Sequence, residues 1–213
     1  MATNKQIKSY TLSWKAGKGE MAIDTTLDVR IHILQSDKVV IILPGVDGSV
    51  DGFENKYVRM ADNITSKQRK AVVRLSNPFI SYYHWEDNLR EALAYVEENA
   101  QELFGAEDIS IEIIGHSAGA AAAASVAWEY PAIKKLLLIN TASVVGPEKI
   151  VDGLRKYKNE AKVVFGSEDP SLPFAAMLPD ETQINIIKGA DHHFTGEHLE
   201  TFIKLVDQLD EDR

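Results

Sequence analysis

The stretch Ile111-Glu112-Ile113-Ile114-Gly115-His116-Ser117-Ala118-Gly119-Ala120 decides how the rest of the chain is read. A short apolar run gives way at once to Gly-x-Ser-x-Gly, and the Ala-rich segment that follows meets no helix breaker before Pro131. Ala is the strongest helix former and Pro the weakest, so the pattern reads as strand, sharp turn and helix. A turn this tight forces its central residue into strained backbone angles and points that side chain out of the top of a sheet. Glycine two positions before and two after removes the Cβ atoms that would collide there. The hydroxyl of Ser117 is thus displayed at a helix start, beside the backbone N–H of Ala118, which is aimed at any developing anion. His116 is expected to turn away from the chemistry and pack nearby.

Working outward, the flanking segments alternate in type. Towards the N-terminus, Leu27 to Leu34 has period two: Leu27, Val29, Ile31 and Ile33 share one face, and Asp28, Arg30 and His32 the other. That predicts a half-solvated, antiparallel strand near a sheet edge, with Tyr10 to Lys15 as a hairpin partner. Val39 to Leu43 is continuously apolar, as a strand covered on both faces requires. Similar short runs follow at Ala71–Val73, Leu136–Ile139, Val163–Phe165 and Ile184–Ile187. Between them, Trp85 to Leu103, Ala118 to Tyr130 and about Glu197 to Leu209 have helical periodicity. The expectation is an α/β chain forming one domain over residues 1–213. It has a mainly parallel sheet of seven to eight strands, an antiparallel N-terminal part and helices on both faces.

The 213 residues carry a formal net charge of −9 and no run of basic residues, which argues against nucleic acid or an anionic membrane surface as a partner. There is no cysteine, so disulfides, thiolate nucleophiles and zinc–thiolate sites are excluded. No apolar stretch approaches the ~20 residues that span a bilayer, and Met1 to Tyr10 lacks the apolar core of a signal peptide. A cytoplasmic location is expected.

In open α/β sheets reactive groups gather beyond the carboxyl ends of the strands, and this chain has four such segments. Ser117 follows Ile111–Ile114. Gly166-Ser167-Glu168-Asp169 follows Val163–Phe165 and supplies a carboxylate to orient a histidine, Asp169 in first place and Glu168 as the alternative. Gly189-Ala190-Asp191-His192-His193-Phe194 follows Ile184–Ile187 and supplies a general base, His192 in first place and His193 as the alternative. Pro44-Gly45-Val46-Asp47-Gly48-Ser49 follows Val39–Leu43 and offers a second anion-binding N–H, that of Val46. The spacing of His192, His193 and His198 fits no common ligand pattern, and no metal site is expected. Tyr82, Tyr83, His84 and Trp85 read either as an aromatic wall beside the site or as the anchor of the following helix.

Together the four segments resemble the α/β-hydrolase superfamily over about Leu27 to Leu209. The order Ser117, Asp169, His192 is the one that superfamily uses. The short segment between Asn140 and Pro147 leaves no room for a cap domain, and the layout is similar to small lidless members of the dienelactone-hydrolase and acyl-thioesterase kinds. The resemblance implies a serine hydrolase that cleaves an ester or thioester of a small soluble acyl substrate without a cofactor. Ser117 would be its nucleophile, His192 its base, Asp169 the orienting acid, and the Val46 and Ala118 N–H groups its oxyanion hole. Asp47, Tyr83 and Trp85 are candidates to line the substrate site. An amidase or peptidase with the same residues, or a non-catalytic binding protein on the same fold, stands as the alternative. Two departures matter. Pro44-Gly45 stands where family members often carry His-Gly, and Asp47 places a carboxylate near the expected oxyanion. The oligomeric state is open.

Overall fold

The computed structural model describes residues 6–17, 19, 22–78 and 85–210. Its strands are β1 (Gln6–Ala16), β2 (Ile23–Ile33), β3 (Lys38–Leu43), β4 (Ala71–Leu75), β5 (Ser110–His116), β6 (Ile133–Ile139), β7 (Glu160–Gly166) and β8 (Gln183–Ile187). The α-helices are α1 (Lys56–Asn63), α2 (Trp85–Glu98), α3 (Ala100–Phe104), α4 (Ala118–Val126), α5 (Pro147–Lys156) and α6 (Leu199–Lys204). The strands form one eight-stranded sheet in the order β1-β2-β4-β3-β5-β6-β7-β8. β2 pairs antiparallel with both β1 and β4, and every pairing from β4 onwards is parallel.

The apolar runs are explained by two covered faces. Val39, Ile41 and Leu43 point to the side packed by α2, α4 and α5, whereas Val40 and Ile42 point to the side packed by α1 and α6. α4 is buried along its whole length, so its Ala run keeps the helix thin enough to lie against the sheet and beside α2 and α5. α6 presents Leu199, Phe202 and Ile203 to the core, and Val206 just beyond it is also buried.

Four details differ from the sequence expectations. The helix expected over Trp85–Leu103 breaks at Asn99, whose side-chain and backbone N–H groups both return to the Tyr95 carbonyl, at 2.8 and 3.2 Å. The closing helix tightens into 3₁₀ turns at Gly196–His198 and Leu205–Leu209. β8, read as covered on both faces, is an edge strand that leaves Ile184 and Ile186 exposed. α1, Lys56–Asn63, was not foreseen; Asn55 stands at its N-cap position but makes no side-chain capping hydrogen bond. Among the described residues no helix is long and apolar enough to cross a membrane.

Candidate active site

β5 runs into α4 through a single residue. Ser117 has φ 57° and ψ −117°, a conformation a side-chain-bearing residue adopts only when its surroundings force it. Its N–H donates to the Ile139 carbonyl at 2.9 Å, and its own carbonyl accepts the Ala121 N–H at 3.1 Å. A Cβ at Gly115 would lie 2.6 Å from the Ala120 Cα, and one at Gly119 would collide with the Leu43 and Pro44 carbonyl oxygens. The two glycines therefore let α4 descend onto the end of β3. Ala118 begins α4, so its N–H has no acceptor within the helix.

The three candidates separated in sequence meet at the carboxyl edge of the sheet. His192 Nε2 lies 2.9 Å from Ser117 Oγ, and His192 Nδ1 lies 2.8 Å from Asp169 Oδ2. The Asp169 side chain is fully shielded from solvent. Its Oδ1 accepts both the N–H and the hydroxyl of Ser171, each at 2.6 Å. Both carboxylate oxygens are thus satisfied, and Oδ2 is left to fix the imidazole. Glu168 is exposed one position earlier, and His193 stacks edge-on against His192 at 5.0 Å between ring centroids. Neither alternative takes the place of Asp169 or His192.

Several residues that hold this arrangement carried no sequence signal. Asn140, at the end of β6, is fully buried with φ 49°. Its amide nitrogen donates to the carbonyls of Asp191 (3.1 Å) and His192 (2.9 Å), and its Oδ1 accepts the Gly166 N–H at 2.8 Å. One side chain thereby ties the end of β7 to the loop after β8. His116, expected to face away, packs against His192 at 5.3 Å between ring centroids and places its Nε2 2.8 Å from the His192 carbonyl. Nε2 must carry the proton there, so Nδ1 accepts from the Tyr57 hydroxyl at 3.2 Å. Burial holds His116 well below the ordinary histidine range, with the Lys56 charge adding to the effect. The ring is thus a neutral buttress at pH 7.

Asn77, following β4, organises the loop after β3. Its side-chain nitrogen donates to the Pro44 carbonyl, its carbonyl accepts the Asp47 N–H, and its N–H donates to the Gly48 carbonyl, each at 2.9 Å. Val46 consequently lies on the wall of the cavity that contains Ser117. Gly45 approaches closely enough that a Cβ there would lie 3.0 Å from Ser117 Cβ.

That cavity has a volume of about 360 Å³ and is bounded by the Pro44–Ser49 loop, Phe53, Lys56, Tyr57, His116, His192 and His193. Asp47, a candidate lining residue, is exposed and is not among the residues lining that cavity. Trp85 was a candidate lining residue, and the structure corrects this. It is 1% exposed and packed in the core at the start of α2. Tyr83 lies outside the described residues. Only seven residues separate β6 from α5, which leaves no room for a cap domain between them.

No family model and no curated protein matches the sequence. Solved structures do match. The esterase domain of a Rhodothermus marinus protein superimposes with a TM-score of 0.70 at 18% identity, covering 96% of both chains. Dienelactone hydrolase from Anabaena variabilis gives 0.70 at 18% identity, covering 95% of this chain and 96% of the other. An α/β serine hydrolase homologue from Coxiella burnetii gives 0.65 at 17% identity, covering 98% and 99%. These likenesses extend over nearly the whole length of each partner, and the chain they describe has the α/β-hydrolase fold.

Proposed function

We propose that the protein is a serine hydrolase that cleaves a carboxylic ester or thioester of a small soluble substrate through an acyl-enzyme. The observation that carries this reading is the relay Ser117 Oγ–His192–Asp169, closed at 2.9 and 2.8 Å and opening into a cavity. With Nδ1–H donated to Asp169, the neutral imidazole offers Nε2 as the acceptor for the Ser117 proton. Ser117 Oγ then attacks the substrate carbonyl, and His192 becomes an imidazolium stabilised by the buried carboxylate. The oxyanion that forms is taken by the N–H groups of Ala118 and Val46, each such donor being worth roughly 3–4 kcal/mol in the transition state. His192 returns its proton to the leaving alcohol or thiol. Water, activated by the same imidazole, then releases the acid from Ser117. No step in this sequence needs a cofactor.

A panel of 4-nitrophenyl esters and acyl thioesters of graded chain length tests the reading, run beside Ser117→Ala. Short acyl chains are expected to be hydrolysed, with kcat lower by about 10⁶ in the variant. Equal rates in the two proteins, or no hydrolysis across the panel, contradict it.

A further inference from the structure

Lys56 occupies a position that physical chemistry disfavours for a cation. It is the first residue of α1, where the helix dipole favours an acid. It is 2% exposed, and burying an ammonium without a paired carboxylate costs several kcal/mol. Among the described residues no carboxylate lies within ion-pairing distance of its Nζ. The ammonium gives one long hydrogen bond, 3.4 Å, to the His193 carbonyl, and sits 4.1 Å from the Phe202 ring centroid and 5.3 Å from that of Tyr57. The acid whose field reaches it, Asp191, is already committed. Its Oδ1 accepts the N–H groups of His193 and Thr195, and its Oδ2 accepts the Thr195 hydroxyl.

An ammonium carries three donors, and one long hydrogen bond does not satisfy them. Lys56 also lines the same cavity as Ser117 and is the only lysine or arginine among the described residues of that wall. The neighbouring imidazoles do not share its charge, because burial holds both His116 and His193 below the ordinary histidine range. The cavity, about 360 Å³, lies within the roughly 300–1,000 Å³ of small-molecule sites. It therefore combines a hydroxyl nucleophile with one buried, under-partnered cation.

We propose that Lys56 binds a carboxylate of the substrate, making the enzyme selective for esters or thioesters that carry a second, ionised carboxyl group. This rests on the reading of Ser117 as the nucleophile and adds the substrate class. A bound carboxylate supplies the counter-charge that the fold withholds. An apolar side chain would pack against Phe202 and Tyr57 at lower cost but could not discriminate.

Burial pushes the Lys56 ammonium down to about 8, against the opposing pull of Asp191. It is therefore charged below that pH and neutral above it. The other titratable groups facing it are Tyr57 on α1, His116 from β5, and His193 and Asp191 from the loop after β8. Burial pushes the Tyr57 phenol up and out of the neutral range. Asp191 is pulled below the usual carboxylate value, because hydrogen bonds from Thr195, His193 and Phe194 outweigh its burial. Between pH 7 and 9, Lys56 is thus the group of this set that changes charge.

The test compares kcat/KM for 4-nitrophenyl hemiglutarate, an anion, with that for the neutral 4-nitrophenyl valerate. At pH 7 the anionic-to-neutral ratio is expected to be high in the native enzyme. It should fall on the order of 10- to 100-fold in Lys56→Met and be largely retained in Lys56→Arg. It should also decline as pH rises through about 8, since the pH dependence of the relay is common to both substrates and cancels in the ratio. Lys56→Gln replaces the methionine variant if that one does not fold. In parallel, Ser117→Ala is titrated calorimetrically with monomethyl glutarate, with and without Lys56→Met. A ratio indifferent to Lys56, with the valerate ester still hydrolysed, overturns the carboxylate site and leaves the Ser117 reading intact. Lys56-dependent binding of monomethyl glutarate, with neither ester hydrolysed, upholds the carboxylate site and overturns the Ser117 reading. Binding that does not depend on Lys56 overturns the proposal.

Discussion

The turn that carries Ser117 and the loop that carries His192 lie side by side at the same sheet edge, yet they are held in different ways. The Ser117 turn is fixed mainly by close packing, with its N–H tied to the Ile139 carbonyl of β6. Its positive φ is imposed by a strand and a helix that abut, and the glycines on either side allow the Cβ-free approach this requires. The His192 loop is fixed from outside. Its backbone carbonyl is held by Asn140 from β6 and by His116 from β5, and its imidazole by Asp169 from the loop after β7. A locally built turn tolerates changes elsewhere, whereas a loop held from three other elements transmits them to the base. The proposed nucleophile is therefore set mainly by sterics and the proposed base by hydrogen bonds.

Substitutions can break each side of this contrast. Asp169→Asn should have the largest effect, because it favours the wrong imidazole tautomer without altering the turn. Steady-state kinetics should show kcat lower by about 10⁴. Gly119→Ala attacks the other side, forcing a methyl group against the Leu43 and Pro44 carbonyls. Displacing backbone costs about 1–3 kcal/mol, which calorimetry should register as a thermal midpoint lower by several degrees. The smallest effect is expected for Asn140→Ala, which removes one of the two side chains holding the His192 carbonyl and leaves the His116 contact and the cavity wall unchanged. kcat should fall about tenfold with KM near its native value. A change confined to KM would show that Asn140 shapes the cavity instead of positioning the base.

The same contrast explains what could be read from the chain alone. The turn after β5 is encoded within five consecutive residues, and the apolar runs flanking it report burial on two faces, so the strands and their order of use were legible. Asp169 and His192 could be singled out as candidates through their place after strands. Asn140, Asn77 and Ser171 were not, because a buried amide or hydroxyl that bonds backbone leaves no periodicity and no spacing rule. His116 does pack nearby, as expected, but its contact with His192 was hidden for a related reason. Its neighbours Tyr57 and His192 are brought to it only by the packing of α1 and the loop after β8. Trp85 shows the converse: an aromatic residue following a strand suits a site wall and a helix anchor equally well in sequence, and only packing decides for the anchor.

The account stands or falls on whether the Ser117 hydroxyl is a nucleophile activated by His192. Intact-protein mass spectrometry after exposure to a fluorophosphonate, with peptide mapping of the adduct, tests this directly. The account predicts a single adduct on Ser117 that is lost in His192→Ala. A native protein that takes up no label, or one labelled equally well without the imidazole, would contradict it.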